Sequence, residues 1–115
     1  MKAFRHLLSL SLVALLTLLL TAGTNVTTVF VIGDSTAAEK SHPDTNPERG
    51  WGMVLQGFFD KNVRVENHAV NGRSSKSFID EGRWQKVLDR IKPGDYVLIQ
   101  FGHNDEKANP KRHTD

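Results

Sequence analysis

The chain has 115 residues, with 15 Lys and Arg, 13 Asp and Glu, and no cysteine. This length allows one small domain, and the absence of cysteine excludes a disulfide framework. Lys2 and Arg5 account for the whole formal net charge of +2, so the remaining residues are balanced in charge. No stripe of basic and aromatic residues is present, and the composition therefore gives no indication of a nucleic-acid partner.

The first 23 residues have the pattern of a secretory signal peptide. Residues 1–6 carry two basic side chains, residues 7–20 are apolar apart from Ser and Thr, and residues 21–23 are small. An uncleaved membrane anchor is the alternative, but the apolar run is shorter than the roughly 20 residues that a membrane span requires. We predict a signal peptide at 1–23, a domain at 24–115, and a secreted or periplasmic protein that meets the membrane only during export.

Apolar runs and helical periodicity alternate along the rest of the chain. Runs rich in β-branched and apolar residues at 26–32, 63–70 and 96–101 predict three strands. A helix is predicted at 50–60 from apolar residues at i, i+3, i+4 and i+7, namely Trp51, Val54, Leu55 and Phe58. A second helix, capped by Ser77 or a neighbour, would bury Trp84, Val87, Leu88 and Ile91. This βαβαβ order predicts an α/β fold with a parallel sheet and right-handed crossovers.

Each predicted strand is followed by a polar corner that contains glycine. The corners are Gly33-Asp34-Ser35-Thr36, Asn71-Gly72-Arg73-Ser74 and Gly102-His103-Asn104-Asp105. Because parallel strands bring their carboxyl ends to one edge of the sheet, we expect the corners to converge there. A polar loop at 39–49 follows the first corner, where loops often carry function.

The residues at these corners suggest acyl transfer. Ser35 would be the nucleophile, Gly72 would offer an unobstructed backbone N–H, and Asn104 would offer a side-chain amide. Together the donors would form an oxyanion hole. Taken singly, each residue also fits an ordinary turn: a helix-capping serine, a glycine with positive φ, and an Asx turn. The order of the three is what favours the catalytic interpretation.

These three corners resemble the first three sequence blocks of the SGNH (GDSL-type) hydrolases. Three further segments make the chain similar to the rhamnogalacturonan acetylesterases in particular: Gly50-Trp51-Gly52, Glu81-Gly82-Arg83-Trp84 and Gly94-Asp95-Tyr96-Val97. The resemblance covers roughly residues 29–105. It implies a flavodoxin-like, three-layer α/β/α parallel sheet and hydrolysis of acetyl esters on pectic polysaccharide, with no metal or organic cofactor.

The same resemblance assigns roles to individual residues. Ser35 is the implied nucleophile, and the oxyanion hole consists of the Ser35 N–H, the Gly72 N–H and the Asn104 side chain. Asp34 is a supporting residue. From the residues themselves and not from the resemblance, Arg73, Ser74 and Trp51 are candidates for a sugar-binding surface, although the position of Trp51 in the predicted helix stripe favours core packing. The implied partner is an acetylated polysaccharide.

The chain departs from the family pattern at the fourth block, because the D-x-x-H motif that supplies the catalytic Asp and His does not occur. His6 lies in the predicted signal peptide, and no convincing orienting acid accompanies His42, His68, His103 or His113. We therefore predict that residues 24–115 are the N-terminal βαβαβ part of a larger SGNH domain, inactive alone.

Two other functions stay open from the sequence. One is a lipase, thioesterase or peptidoglycan deacetylase on the same scaffold, because function resides in the site and not in the fold. The other is an exported carbohydrate-binding protein without catalytic activity, which the missing base would favour.

Overall fold

The structure is a computed structural model that describes residues 26–114, so the predicted signal peptide lies outside the described residues. Three strands form one sheet: β1 (Thr27–Gly33), β2 (Val63–Asn67) and β3 (Tyr96–Gln100). The strand order is β2-β1-β3, and β1 pairs in parallel with both neighbours. The predicted parallel sheet is confirmed.

Helices cover both faces of this sheet, as the three-layer prediction requires. One side carries α1 (Trp51–Val54) and a 3₁₀ turn (Leu55–Phe58), and the second crossover carries α2 (Ser75–Asp80) and α3 (Arg83–Leu88). Alternation along β1 sends Phe30 and Ile32 into a cluster with α2 and α3, and Val31 into a cluster on the α1 side. Among the described residues, none of the helices has the length and apolar character needed to cross a membrane.

The first crossover helix is shorter than the sequence predicted. The periodicity over 50–60 predicted one amphipathic helix, but regular α-helix ends at Val54 and a 3₁₀ turn follows. Only half of the predicted stripe packs on the core: Trp51 and Leu55 contact it, whereas Val54 and Phe58 are exposed. The spacing of these four apolar residues thus predicted the buried face of the helix correctly. It overstated the length of the helix, because the turn that follows Val54 has little core to pack against.

The second crossover divides into two helices where one was predicted. Gly82 adopts a left-handed conformation with φ of 69° and separates α2 from α3. Ser74 caps α2 by accepting a hydrogen bond from the Ser77 N–H, and the Ser77 hydroxyl accepts one from the Ser74 N–H. The predicted stripe is kept by Trp84, Val87 and Ile91 but not by Leu88, which is exposed.

The second and third strands also end earlier than predicted, at Asn67 and Gln100. Beyond β2 the chain still follows β1, since the His68 N–H donates to the Val31 carbonyl at 2.8 Å and the Val70 N–H to the Gly33 carbonyl at 3.0 Å. The chain after β2 therefore stays hydrogen-bonded to β1 as far as the second corner, although regular strand geometry ends at Asn67.

The Gly50-Trp51-Gly52 segment allows α1 to pack its backbone against the first corner. A Cβ on Gly50 would lie 2.1 Å from the Ala38 carbonyl oxygen, and one on Gly52 would lie 2.6 Å from the Ala37 carbonyl oxygen. The Gly52 N–H donates to that same Ala37 oxygen at 3.2 Å. The two glycines thus allow the backbone of α1 to lie in close contact with the residues that follow the first corner.

We expect Gly52→Ala to destabilise the fold by about 1–3 kcal/mol, because the new methyl group must displace backbone in a packed region. Gly57→Ala is the matched control, since a Cβ there meets nothing within 4 Å. Urea unfolding followed by tryptophan fluorescence measures both variants. Equal stability of the two variants would show that the close approach of α1 to the first corner does not require glycine at position 52.

Candidate active site

Hydrogen bonds bring the three corners to one edge of the sheet. The Asp34 N–H donates to the Gln100 carbonyl at 3.2 Å, which joins the first corner to the end of β3. The Asn104 side-chain amide donates to the Arg73 carbonyl at 3.1 Å, which joins the third corner to the second. The Lys40 ammonium bonds both the Ser35 carbonyl and the Asn71 side-chain oxygen, and so joins the first corner to the second. The predicted convergence is present.

Asp34 is completely buried and shapes the turn that carries Ser35. Its Oδ1 accepts from the Thr36 N–H at 2.9 Å and from the Thr36 hydroxyl at 2.8 Å. Its carbonyl accepts from the N–H groups of Ala37 and Ala38. The other carboxylate oxygen, Oδ2, is buried without a hydrogen-bond partner among the described residues. Asp34 therefore holds the corner from inside, as a supporting residue.

Ser35 stands at the rim of this turn, half-buried beside an open depression of about 450 Å³. The other residues that line the depression are polar or charged: Lys40, Glu48, Arg49 and Asn71. Within residues 26–114 the Ser35 N–H has no hydrogen-bond acceptor. The hydroxyl and the N–H of one residue are thus both available to a ligand.

Gly72 supplies the second backbone donor. Its φ of +74° is a left-handed conformation, which glycine adopts without strain. Across the described part of the chain, its N–H has no acceptor either. The Arg112 guanidinium lies 3.6 Å from the position that a Gly72 Cβ would occupy. A positive charge therefore stands beside the proposed oxyanion donor.

Asn104 is buried with only 1% of its surface exposed, and both ends of its amide have partners. Its Oδ1 accepts from the Lys107 ammonium at 3.0 Å, while Nδ2 donates one hydrogen to the Arg73 carbonyl. An amide nitrogen carries two hydrogens, so the second Nδ2 hydrogen has no acceptor among the described residues, but Asn104 does not line the depression at Ser35. The alternative of a simple Asx turn is not what the structure shows, since Oδ1 bonds Lys107 and not the backbone.

Sequence reasoning missed Asp105, which fastens the third corner to α2. Its carboxylate accepts hydrogen bonds from the Ser75 N–H at 2.9 Å, from the Ser75 hydroxyl, from the Thr114 hydroxyl at 3.1 Å and from the Gly102 N–H at 3.0 Å. Partial burial raises its pKa, but these donors outweigh the burial and leave the pKa below its ordinary value. The sequence did contain one indication of this role, because Asp105 directly follows Asn104 in the third corner.

None of the described histidines lines the depression at Ser35. The His68 ring packs on Phe30 with centroids 5.9 Å apart and pairs with Glu66 at 3.3 Å, so it has a structural role. His103 is exposed in a turn and lies 3.9 Å from Glu106. His42 and His113 are also exposed.

The remaining candidates have mainly structural contacts. Trp51 packs on the cluster around Val31, and its indole N–H donates to the Gln100 side chain at 2.9 Å, as expected for a core residue. Ser74 is fully buried as the α2 cap. Arg73 pairs with Glu81 at 3.1 Å and lines a second depression beside Gly72. Within the described residues, no group of three or more His, Cys, Asp or Glu side chains could hold a metal ion.

The lowered pKa of Asp105 predicts an acid-sensitive contribution to stability. Because the folded pKa is below that of the unfolded chain, the stabilisation is complete above about pH 3.9. It is lost as the pH falls through the folded pKa. We expect Asp105→Asn to be less stable than the parent at pH 7, and the difference to shrink in strong acid. Urea midpoints of the variant and the parent, measured from pH 7 into strong acid, give this difference in stability.

Asp44→Asn provides the control, because Asp44 is exposed in the polar loop. Its difference from the parent should stay small at every pH. A difference for Asp105→Asn that does not change between neutral and acidic pH would contradict the role of the Asp105 carboxylate.

Several known proteins are similar to this chain in sequence, in fold, or in both. A model of the GDSL-like lipase/acylhydrolase family matches residues 31–114. Rhamnogalacturonan acetylesterase RhgT of Bacillus subtilis is 49% identical over 79 residues, which cover 69% of this chain and 34% of that protein. A rhamnogalacturonan acetylesterase of Emericella nidulans is 38% identical over 93 residues, which cover 81% of this chain and 34% of that protein.

The solved structure of YxiM from Bacillus subtilis matches the fold with a TM-score of 0.65 at 37% identity, over 74% of this chain and 24% of that chain. The chain spans 34% of the length of each of the two acetylesterases. The three corners lie within the matched region of the family model. The chain thus belongs to the GDSL-like lipase/acylhydrolase family, that is, to the SGNH hydrolases.

Proposed function

We propose that this chain forms the N-terminal part of a secreted serine esterase that removes acetyl groups from pectic polysaccharide of the rhamnogalacturonan type. The family is one of carboxylic ester hydrolases. The observation that supports the proposal is that the Ser35 hydroxyl, two backbone N–H groups without acceptors among residues 26–114, and the buried Asn104 amide lie at one sheet edge. The catalytic Asp and His would be supplied by sequence after Asp115, in what we call the full-length protein.

The proposed reaction is a two-step acyl transfer. Ser35 Oγ attacks the acetyl carbonyl carbon while the histidine takes the hydroxyl proton. The carbonyl oxygen becomes an oxyanion, which would accept hydrogen bonds from the N–H groups of Ser35 and Gly72 and from Asn104. The sugar oxygen leaves with the proton from the histidine, and an acetyl-serine remains. Water then attacks this ester, and acetate and the free serine are released.

The lining of the site favours a carbohydrate ester over a lipid ester. Apart from Ser35, the depression is lined only by charged or amide side chains, which suit hydroxyl-rich substrates and not an acyl chain. The names of RhgT and of the Emericella nidulans relative support the same substrate class. A secreted protein fits this substrate, because a cell-wall polysaccharide lies outside the cell, and it fits the signal-like pattern of residues 1–23.

In the full-length protein, Ser35→Ala should abolish hydrolysis of p-nitrophenyl acetate because the covalent route is lost. The thermal midpoint should stay nearly unchanged, since the side chain stands at the rim of the turn. Ser41→Ala, in the exposed loop, is the control and should keep full activity. Retention of most activity by Ser35→Ala would show that another residue is the nucleophile.

Asn104→Ala should lower kcat by roughly 10²–10³ with little change in KM, because an oxyanion donor acts mainly in the transition state. Asn104 also holds the Arg73 carbonyl, so unfolding must be measured beside the kinetics. Asn62→Ala, an exposed asparagine before β2, serves as control. A rise in KM alone would assign Asn104 to sugar binding and leave Ser35 and Gly72 as the oxyanion hole.

A further inference from the structure

Two depressions adjoin the turn at Asn71 and Gly72, one on each side. The first, of about 450 Å³, contains Ser35. The second, of about 420 Å³, is bounded by Gly72, by α2 and by residues 109–112. Asn71 lines the first depression and Gly72 the second, so the two are adjacent. The two depressions therefore meet at the turn of Asn71 and Gly72.

Positive charge is concentrated in these depressions. Six Lys and Arg side chains line them against three carboxylates. The chain after residue 23 is balanced as a whole, with 13 basic and 13 acidic side chains (the totals of 15 and 13, less Lys2 and Arg5), so its part outside the depressions carries 7 basic and 10 acidic side chains. The excess is therefore a local property of this edge of the sheet.

In the second depression, two of the cations are neutralised within the protein. Arg73 pairs with Glu81 at 3.1 Å, and Lys76 pairs with Asp80 on α2. Arg112 differs from them, because no carboxylate within residues 26–114 pairs with its guanidinium. Its guanidinium is also the group that stands beside Gly72.

In the first depression, neither cation is paired with a carboxylate among the described residues. Lys40 donates to the Ser35 carbonyl and to the Asn71 side chain. Arg49 donates only to backbone carbonyls of its own loop, including that of Pro43 at 2.9 Å. Cations held in place by neutral acceptors keep their charge available to an anionic ligand.

We propose that Arg112 and Arg49 bind carboxylates of an acidic polysaccharide on the two sides of the ester that Ser35 attacks. Guanidinium groups suit this task, because their planar N–H pairs match the two oxygens of a carboxylate. Lys40 adds charge next to the nucleophile. The substrate would then be selected for free uronate groups, a requirement that rests on the proposed esterase function and deepens it.

Direct binding tests this proposal independently of catalysis. Titration calorimetry of the full-length protein with an oligogalacturonate is compared with the same oligomer after methyl esterification, which removes the negative charges. We expect the free acid to bind at least tenfold more tightly at low salt, and the advantage to fall with added salt. Equal affinity for the two oligomers would overturn the proposal.

Variants then assign the contact. Arg112→Gln should weaken binding of the free acid by about tenfold, corresponding to about 1.4 kcal/mol. Its affinity for the methyl ester should not change. Arg112→Lys should restore part of the loss, since it keeps the charge. Arg49→Gln should behave like Arg112→Gln, and each thermal midpoint shows whether the variant is folded.

Arg64→Gln is the matched control, because Arg64 pairs with Thr28 in the sheet register, near the opposite end of β1. It should leave both affinities unchanged. An equal loss in Arg64→Gln and Arg112→Gln, or a loss in Arg112→Gln for both oligomers, would refute a specific carboxylate contact. Hydrolysis of p-nitrophenyl acetate by the parent reports the esterase function separately, so failure of one proposal does not imply failure of the other.

Discussion

Asp34 is a buried carboxylate at the end of the central strand, and the candidate site depends on the turn that it holds. One of its oxygens accepts both the N–H and the hydroxyl of Thr36, which folds the chain back immediately after Ser35. A hydrogen bond within a protein typically contributes about 0.5–1.5 kcal/mol net. The same turn leaves the Ser35 N–H without an acceptor among the described residues, so one internal contact shapes the position of both the proposed nucleophile and its N–H group.

Neighbouring elements contact this turn on both sides. The backbone N–H of Trp51 donates to the Thr36 carbonyl at 3.0 Å, so the start of α1 is bonded directly to the first corner. Across the sheet, a Cβ on Gly33 would lie 2.5 Å from the Gln100 carbonyl oxygen, which shows how closely β3 approaches. Asp105 plays the corresponding role for the third corner by bonding α2. Contacts from neighbouring elements thus hold the first and third corners in place.

The sequence was sufficient to predict the sheet and the placement of the corners. The parallel direction of the strands follows from the βαβαβ alternation, whereas the order β2-β1-β3 is known only from the structure. Ser35, Gly72 and Asn104 stay predicted site residues, in corners that the sheet brings to one edge. Helix lengths were less predictable. Phe58 and Leu88 have the correct spacing but no core beneath them, and Gly82 breaks a helix through a positive φ that a periodicity count does not include.

The contacts missed from the sequence are those between distant segments. Lys107 fixes the orientation of the Asn104 amide, and Asp105 binds Ser75, which lies 30 positions earlier in the chain. Arg112 lies 40 positions after Gly72 in the sequence, yet its guanidinium lies beside that glycine. Spacing rules describe neighbours within one element, and these side chains meet only after the sheet has brought three corners together. The charge pattern around Ser35 therefore became visible only in the structure.

Covalent labelling of the nucleophile tests the central claim most directly. The full-length protein is treated with a fluorophosphonate, which reacts with activated serine hydroxyls, and the modified peptide is identified by mass spectrometry. A single label on Ser35, blocked by prior incubation with an acetylated rhamnogalacturonan oligomer, is the result predicted here. A label on a different serine, with Ser35 unmodified, would contradict the assignment of this edge of the sheet as the active site.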